Sequence, residues 1–203
     1  MTKVTDFIIT AIVAIISIMI HECAHGYAAL YMGDDTAKRA GRLTLNPIKH
    51  VDIFGLLCMI MFKFGWAKPV PVNSFNFRDR KKGMRLVSIA GVTANMILAV
   101  FSAVMLRIFI TTDLDYITLF FIYGIQLNIG YAVFNLMPFP PLDGSKLLAT
   151  FLPGKYEYYM YKYERYIYIV LIALIYTGVL SDIMYPIISG IYSFFINIII
   201  ATL

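Results

Sequence analysis

His21-Glu22-Cys23-Ala24-His25 lies inside a long apolar stretch, and that placement limits the folds open to the chain more than any other feature. From Phe7 to Met32 the ionisable side chains are His21, Glu22 and His25, apart from the thiol of Cys23 and the phenols of Tyr27 and Tyr31. A run of this length reads as a membrane-spanning helix. Ionisable groups in hydrocarbon each carry a desolvation cost of a few kcal/mol, so they mark a functional site by default. Two histidines four apart project from one helix face and can hold one metal ion, and a glutamate directly after the first is placed to act on a water beside it. The bland alternative is a helix end whose histidines sit in headgroup water.

The rest of the composition agrees with a membrane protein. Of 203 residues 60% are hydrophobic and only 14% charged, against about a quarter charged in ordinary soluble domains. Cys23 and Cys58 make no disulfide framework. Cys23 lies about 200° around the helix from His21, which suits packing in the bundle better than ligation. The first residues do not read as a cleavable signal peptide, because the apolar run continues into the histidine motif without a small-residue cleavage site.

Five spans are expected: 7–32, 86–110, 116–137, 166–180 and 183–201, the fourth of them short. Pro138, Pro140 and Pro141 stop the third, since proline cannot continue a helix. The fold class expected is an all-α polytopic membrane protein forming a single domain over 1–203. Within it, residues 42–80 make a short interfacial β-hairpin or re-entrant segment. There Ile53 to Phe62 is apolar but too short to cross, and Val70–Asn73 and Phe75–Phe77 alternate like short strands. Such an edge could hold an extended peptide by strand addition or simply pack on the bundle.

Charge sets the orientation. Eleven of the seventeen Lys and Arg fall between Tyr31 and Arg85, against four acids, which places that segment on the cytoplasmic side. The net charge of +5 therefore points to an anionic lipid surface; no aromatic-interleaved basic motif suggests nucleic acid. Asp113 and Asp115 then fall outside, and the third span returns inward, delivering 138–165 to the inner side. Arg107, near the outer end of the second span, runs against the pattern unless it snorkels.

Zinc catalysis usually needs a third protein ligand. Asp143 is the only carboxylate between Asp115 and Glu157 and stands in a proline-broken turn at the inner end of the third span. It could reach the histidines, or it could cap a helix over Ser145–Leu152. Asn95 and Asn135 are polar residues in apolar spans, able either to hydrogen-bond a substrate backbone or oxyanion or to join helices. His50 is a candidate for the mouth of the site or for packing against the hairpin. The tyrosines between Tyr156 and Tyr168 read as an interfacial belt.

These residues, in this order, resemble the site-2 protease family of intramembrane zinc metalloproteases over nearly the whole chain. The His-Glu-x-x-His stands in a span, Gly91-Val92-Thr93-Ala94-Asn95 in the next, and Asn135-Leu136-Met137-Pro138-Phe139-Pro140-Pro141-Leu142-Asp143-Gly144 at the end of the following one. Gly41–Pro47 and Gly65–Asn73 look like the compact microbial branch, with no room for PDZ or CBS domains. Val92 stands where many relatives carry proline. The resemblance implies one zinc per chain on His21, His25 and Asp143, with Glu22 as catalytic acid/base. It also implies cleavage of a transmembrane protein or peptide substrate within or near its membrane segment, in a prokaryotic cell membrane with the active site toward the cytoplasm. Two other classes stay open: an inactive metal-binding membrane scaffold, which would not need Glu22, and a small transporter, which would spread its ionisable groups along a pathway.

Overall fold

The computed structural model describes residues 3–52, 55, 67–110 and 114–201. The described residues are helical, with no strand among them. Helix α1 runs Lys3–Tyr31 and a short α2 Thr36–Arg39; α3 is Arg80–Phe109, α4 Asp115–Asn135, α5 Asp143–Ala149, α6 Gly154–Tyr176 and α7 Val179–Ala201. The chain divides into two compact units, Met1–Ala94 and Asn95–Leu203, with the division falling inside α3. Helices α1, α3 and α4 and the stretch Val179–Ile198 of α7 are each long and apolar enough to cross a membrane.

In the first unit, α1 ends at Gly33, whose φ of 107° is open to glycine and closed to most side chains. The N–H of Asp34 then donates to Ala29 O at 2.9 Å, closing the last turn. Beyond it the chain packs back: Phe77 is buried with Ala29 and Val87, and Met32, Val72 and Met84 pack against them. This seats the turn around residues 72–77 on the end of α1 and the start of α3. Gly83 makes the seat possible, since a Cβ there would lie 2.4 Å from the Phe77 ring.

Residues 42–80 differ in part from expectation. Among the described residues one antiparallel bridge joins Val51 to Ala67, and the N–H of Lys68 donates to His50 O at 2.9 Å. The run Ile53–Phe62 lies outside the described residues except for Gly55. Phe75 to Phe77 is not a strand: Ser74–Asn76 forms a 3-10 turn, because the Asn73 side chain accepts from Phe75 N–H and offers the backbone a local alternative to pairing.

In the second unit, Ala99, Ala103 and Leu106 of α3 pack on Ile125, Ile129 and Val133 of α4, with Ile188 and Ile191 of α7 against them. A second cluster, Leu142, Leu171 and Leu180, ties the start of α5 to α6 and α7. The expected fourth span, 166–180, does not form as one helix. The tyrosine-rich α6 closes at Thr177, and Gly178 turns the chain at φ 82° before α7 begins. Ile97, Phe101, Val104 and Ile108 on α3 remain exposed. Such a surface suits lipid, where apolar side chains face the solvent of the helix.

Candidate metal centre

Helical periodicity alone stacks His21 and His25 on one face of α1. Their Nε2 atoms lie 2.9 Å apart, and the rings stand perpendicular. Both residues are buried. The Nδ1 of His25 is 2.8 Å from the carbonyl oxygen of Val87. A carbonyl can only accept, so Nδ1 carries the proton and Nε2 presents its lone pair, the tautomer a metal needs. With the two Nε2 atoms side by side, one cation could draw on both rings. Gly91 of α3 completes this cradle. A Cβ at Gly91 would fall 2.5 Å from His21 Cε1 and 2.6 Å from His25 Nε2, so the space over the pair is held open by a missing side chain. The donor set and the cradle fit a small tetrahedral cation.

Glu22 follows His21 on α1. Its Oε2 accepts the main-chain N–H of Val70 at 2.7 Å, and the residue is half-buried. In the second unit Asp143 is buried, and its Oδ1 lies 3.1 Å from Lys146 Nζ. It is the first residue of α5; the cap position belongs to Leu142, with no side-chain cap bond. The capping alternative is thus not how the chain uses this carboxylate. Gly144 beside it has no room for a side chain, since a Cβ would meet Leu136 O at 2.1 Å. The turn can close only with glycine there.

Over 190 residues the chain is 41% identical to "Putative zinc metalloprotease YwhC" of Bacillus subtilis (strain 168), covering 88% of this chain and 85% of that relative. The chain belongs to this zinc metalloprotease family. A more distant relative, "Putative zinc metalloprotease Rip2" of Mycolicibacterium smegmatis, is 27% identical over 190 residues, 89% of this chain and 71% of its own length. No protein-family model and no solved structure matches the chain.

The other polar residues expected at the site are placed as follows. Cys23 is buried, with its thiol donating to Thr44 O at 3.2 Å; it packs. His50 is 2% exposed and its Nε2 donates to Thr44 O at 2.8 Å. In the second unit Asn95 Nδ2 donates to Asn128 Oδ1 at 2.8 Å, and Asn128 Nδ2 donates to Gly124 O at the same distance. Asn95 therefore joins α3 to α4. Asn128 escaped the sequence reading, although it lies two turns before Asn135 in an apolar helix and carried the same signal. Asn135 is half-buried and its Nδ2 donates to Tyr131 O at 3.0 Å, within its own helix. Val70 escaped too, because a main-chain donor leaves no trace in residue type.

Proposed function

We propose that this metalloprotease is an intramembrane endopeptidase of the site-2 type, cutting a peptide bond within or near a transmembrane segment of its substrate. One zinc would be held by His21, His25 and Asp143. The observation that carries the reading is the buried histidine pair with Glu22 beside it, inside a 29-residue helix apolar enough to span a membrane. The names of the relatives support zinc and proteolysis; the burial of the motif in such a helix supports the intramembrane setting.

When bound, zinc supplies Lewis acidity, polarising the scissile carbonyl and lowering the pKa of water toward about 7. The chain's own residues do the rest. Val87 O holds the His25 ring in its ligating tautomer. Glu22, with Oε2 occupied by Val70 N–H, offers Oε1 to the attacking water, takes its proton and later returns it to the leaving amine. The Asn135 carboxamide, which donates to Tyr131 O of its own helix, is the group we assign to the backbone of an unwound substrate; Asn95 is committed to Asn128.

Glu22→Gln tests the reading. It keeps size and hydrogen-bonding capacity but removes the base. Purified protein is expected to hold about one zinc, retained in Glu22→Gln and largely lost in His21→Ala, His25→Ala and Asp143→Ala. Cleavage of a single-span substrate with a helix-weakening residue, in liposomes, should fall about 10²–10⁴-fold in Glu22→Gln. Equal cleavage by wild type and Glu22→Gln would end the mechanism. Zinc binding without cleavage of any substrate in a broad panel would favour the scaffold. Full zinc retention in Asp143→Ala would remove Asp143 from the ligand set.

A further inference from the structure

We propose that the main-chain amide of Val70 is a positioning group for Glu22, and that residues 67–73 are a strap that aims this carboxylate. The inference rests on the protease reading above and adds to it a part of the chain far from the histidine motif.

Position 22 is about 100° around α1 from His21, so nothing in the helix itself directs the Glu22 carboxylate toward the metal. A long side chain of this kind samples many rotamers unless something outside the helix fixes it. The Val70 N–H does so at 2.7 Å, the short end of the range for a charge-assisted bond. Pro69 and Pro71 flank Val70. Neither carries an N–H, so the strap has one donor at this point, and it is spent on Glu22. Prolines also fix φ and keep their preceding residues out of helix, which stiffens the segment.

The strap is anchored on both sides of that contact. On one side Arg42 Nη2 donates to Lys68 O at 2.7 Å, and Lys68 N–H donates to His50 O at 2.9 Å. On the other, Asn73 N–H donates to Asp34 Oδ2 at 2.7 Å. In the middle the Val70 side chain is buried beside Gly26, one turn of α1 beyond Glu22. A Cβ on Gly26 would lie 3.1 Å from Val70 Cγ1 and 2.4 Å from Leu43 Cδ2, so Gly26 admits the strap to the helix surface. No described strand pairs with residues 68–73. What these anchors preserve is one bond to one oxygen, which leaves Oε1 for the water.

A general base acts only within about 2.6–3.2 Å of its proton, and a misplacement of about 1 Å can cost 100-fold. Removing the Val70 N–H should therefore lower kcat and leave zinc and substrate affinity alone. Replacing Val70 with α-hydroxyisovalerate by nonsense suppression converts its amide to an ester with the same side chain; the same exchange at Val4, exposed in the first turn of α1 where the N–H has no acceptor within the helix, is the control. In the reconstituted protein the Val70 ester is expected to lose at least about tenfold in kcat, with zinc content and KM close to wild type and the Val4 ester unaffected. Amide hydrogen exchange supplies a readout independent of activity: exchange at Val70 should accelerate in Glu22→Ala. An ester at Val70 that matches or exceeds wild-type kcat overturns the proposal, as does loss of zinc along with kcat, which would mean a structural role. Unchanged Val70 exchange in Glu22→Ala overturns it as well, even if either ester fails to fold. Should wild type cleave nothing, the protease reading falls, while the exchange measurement still decides whether the strap holds Glu22.

Discussion

At Gly91 the missing side chain decides whether a metal fits. Carbon atoms do not approach within 3.0 Å of packed neighbours without something shifting, and a Cβ there would sit 2.5–2.7 Å from three atoms of His21 and His25. Those atoms belong to rings, and one ring is pinned by Val87 O, so relief must come from tilting a ligand. Gly91→Ala is expected to weaken zinc about 10–100-fold, the usual effect of disturbing groups that orient ligands. Competition with a zinc chelator would read it; unchanged affinity would show that α3 can retreat. The histidine pair and Glu22 were legible in the sequence because helix geometry alone turns a spacing of four into a shared face. Gly91 was legible only as part of a family-like block. Which residue of α3 meets the pair depends on how two helices pack, and spacing within one helix cannot supply that. The Val70 amide was hidden for a deeper reason: every residue but proline has one.

At the scale of elements, Asp34 joins the end of α1 to the turn at residues 73–76. The residue is fully buried, and its carboxylate accepts from the Thr36 N–H and hydroxyl, the Asn73 N–H and the Asn76 amide. Burial alone would raise its pKa; the hydrogen bonds from Thr36, Asn73 and Asn76 outweigh that and hold it below the ordinary value. A carboxyl group depressed on folding contributes stability that is complete above its unfolded pKa of about 3.9 and is lost as pH falls through the lower folded value. Asp34→Asn should therefore be less stable than wild type at neutral pH, by about 1–3 kcal/mol, and the gap should close in acid below about pH 4. Thermal unfolding in detergent across that range would test it, and a gap that widens in acid would refute the assignment. The same junction explains why Phe75–Phe77 was misread as a strand. Alternation of apolar and polar residues records which faces are buried, but not that Asn73 and Asp34 supply local partners for the backbone. The long helices were legible from their apolar runs. Their ends were less so, as the closure of α6 at Thr177 and Gly178 shows.

At the scale of the whole molecule, we propose a direction across the membrane from the charges that flank α3. Helix α3 has 30 residues, about 45 Å at 1.5 Å per residue, which exceeds the roughly 30 Å hydrocarbon core. Its two ends must therefore emerge on opposite sides if it spans. The end at Arg80 carries Lys81, Lys82 and Arg85 close by, while the other leads to Asp115. Basic flanks favour the cytoplasmic side, whereas acidic residues contribute little to orientation, so the proposal rests on the lysine end. Arg107 near the far end is a single opposing charge that can reach the interface by extending along the helix. With that orientation the C-terminal half of α1, carrying His21 and His25, would lie in the cytoplasmic half of the membrane, and the topology expected from the sequence would return the residues after α4, carrying Asp143, to the same side, as the proposed ligand set requires. Single cysteines at Lys81 and Asp115, in a background with Cys23 and Cys58 replaced by serine, should label from the cytoplasmic and opposite faces respectively when a membrane-impermeant maleimide is applied to intact cells and to inverted vesicles. The reverse pattern would turn α1 and α4 over together, leaving the ligand set intact while moving the active site to the outer face. Labelling of both positions from one face would mean that α3 does not cross, and a three-residue zinc site drawing on α1 and the start of α5 would lose its topological basis.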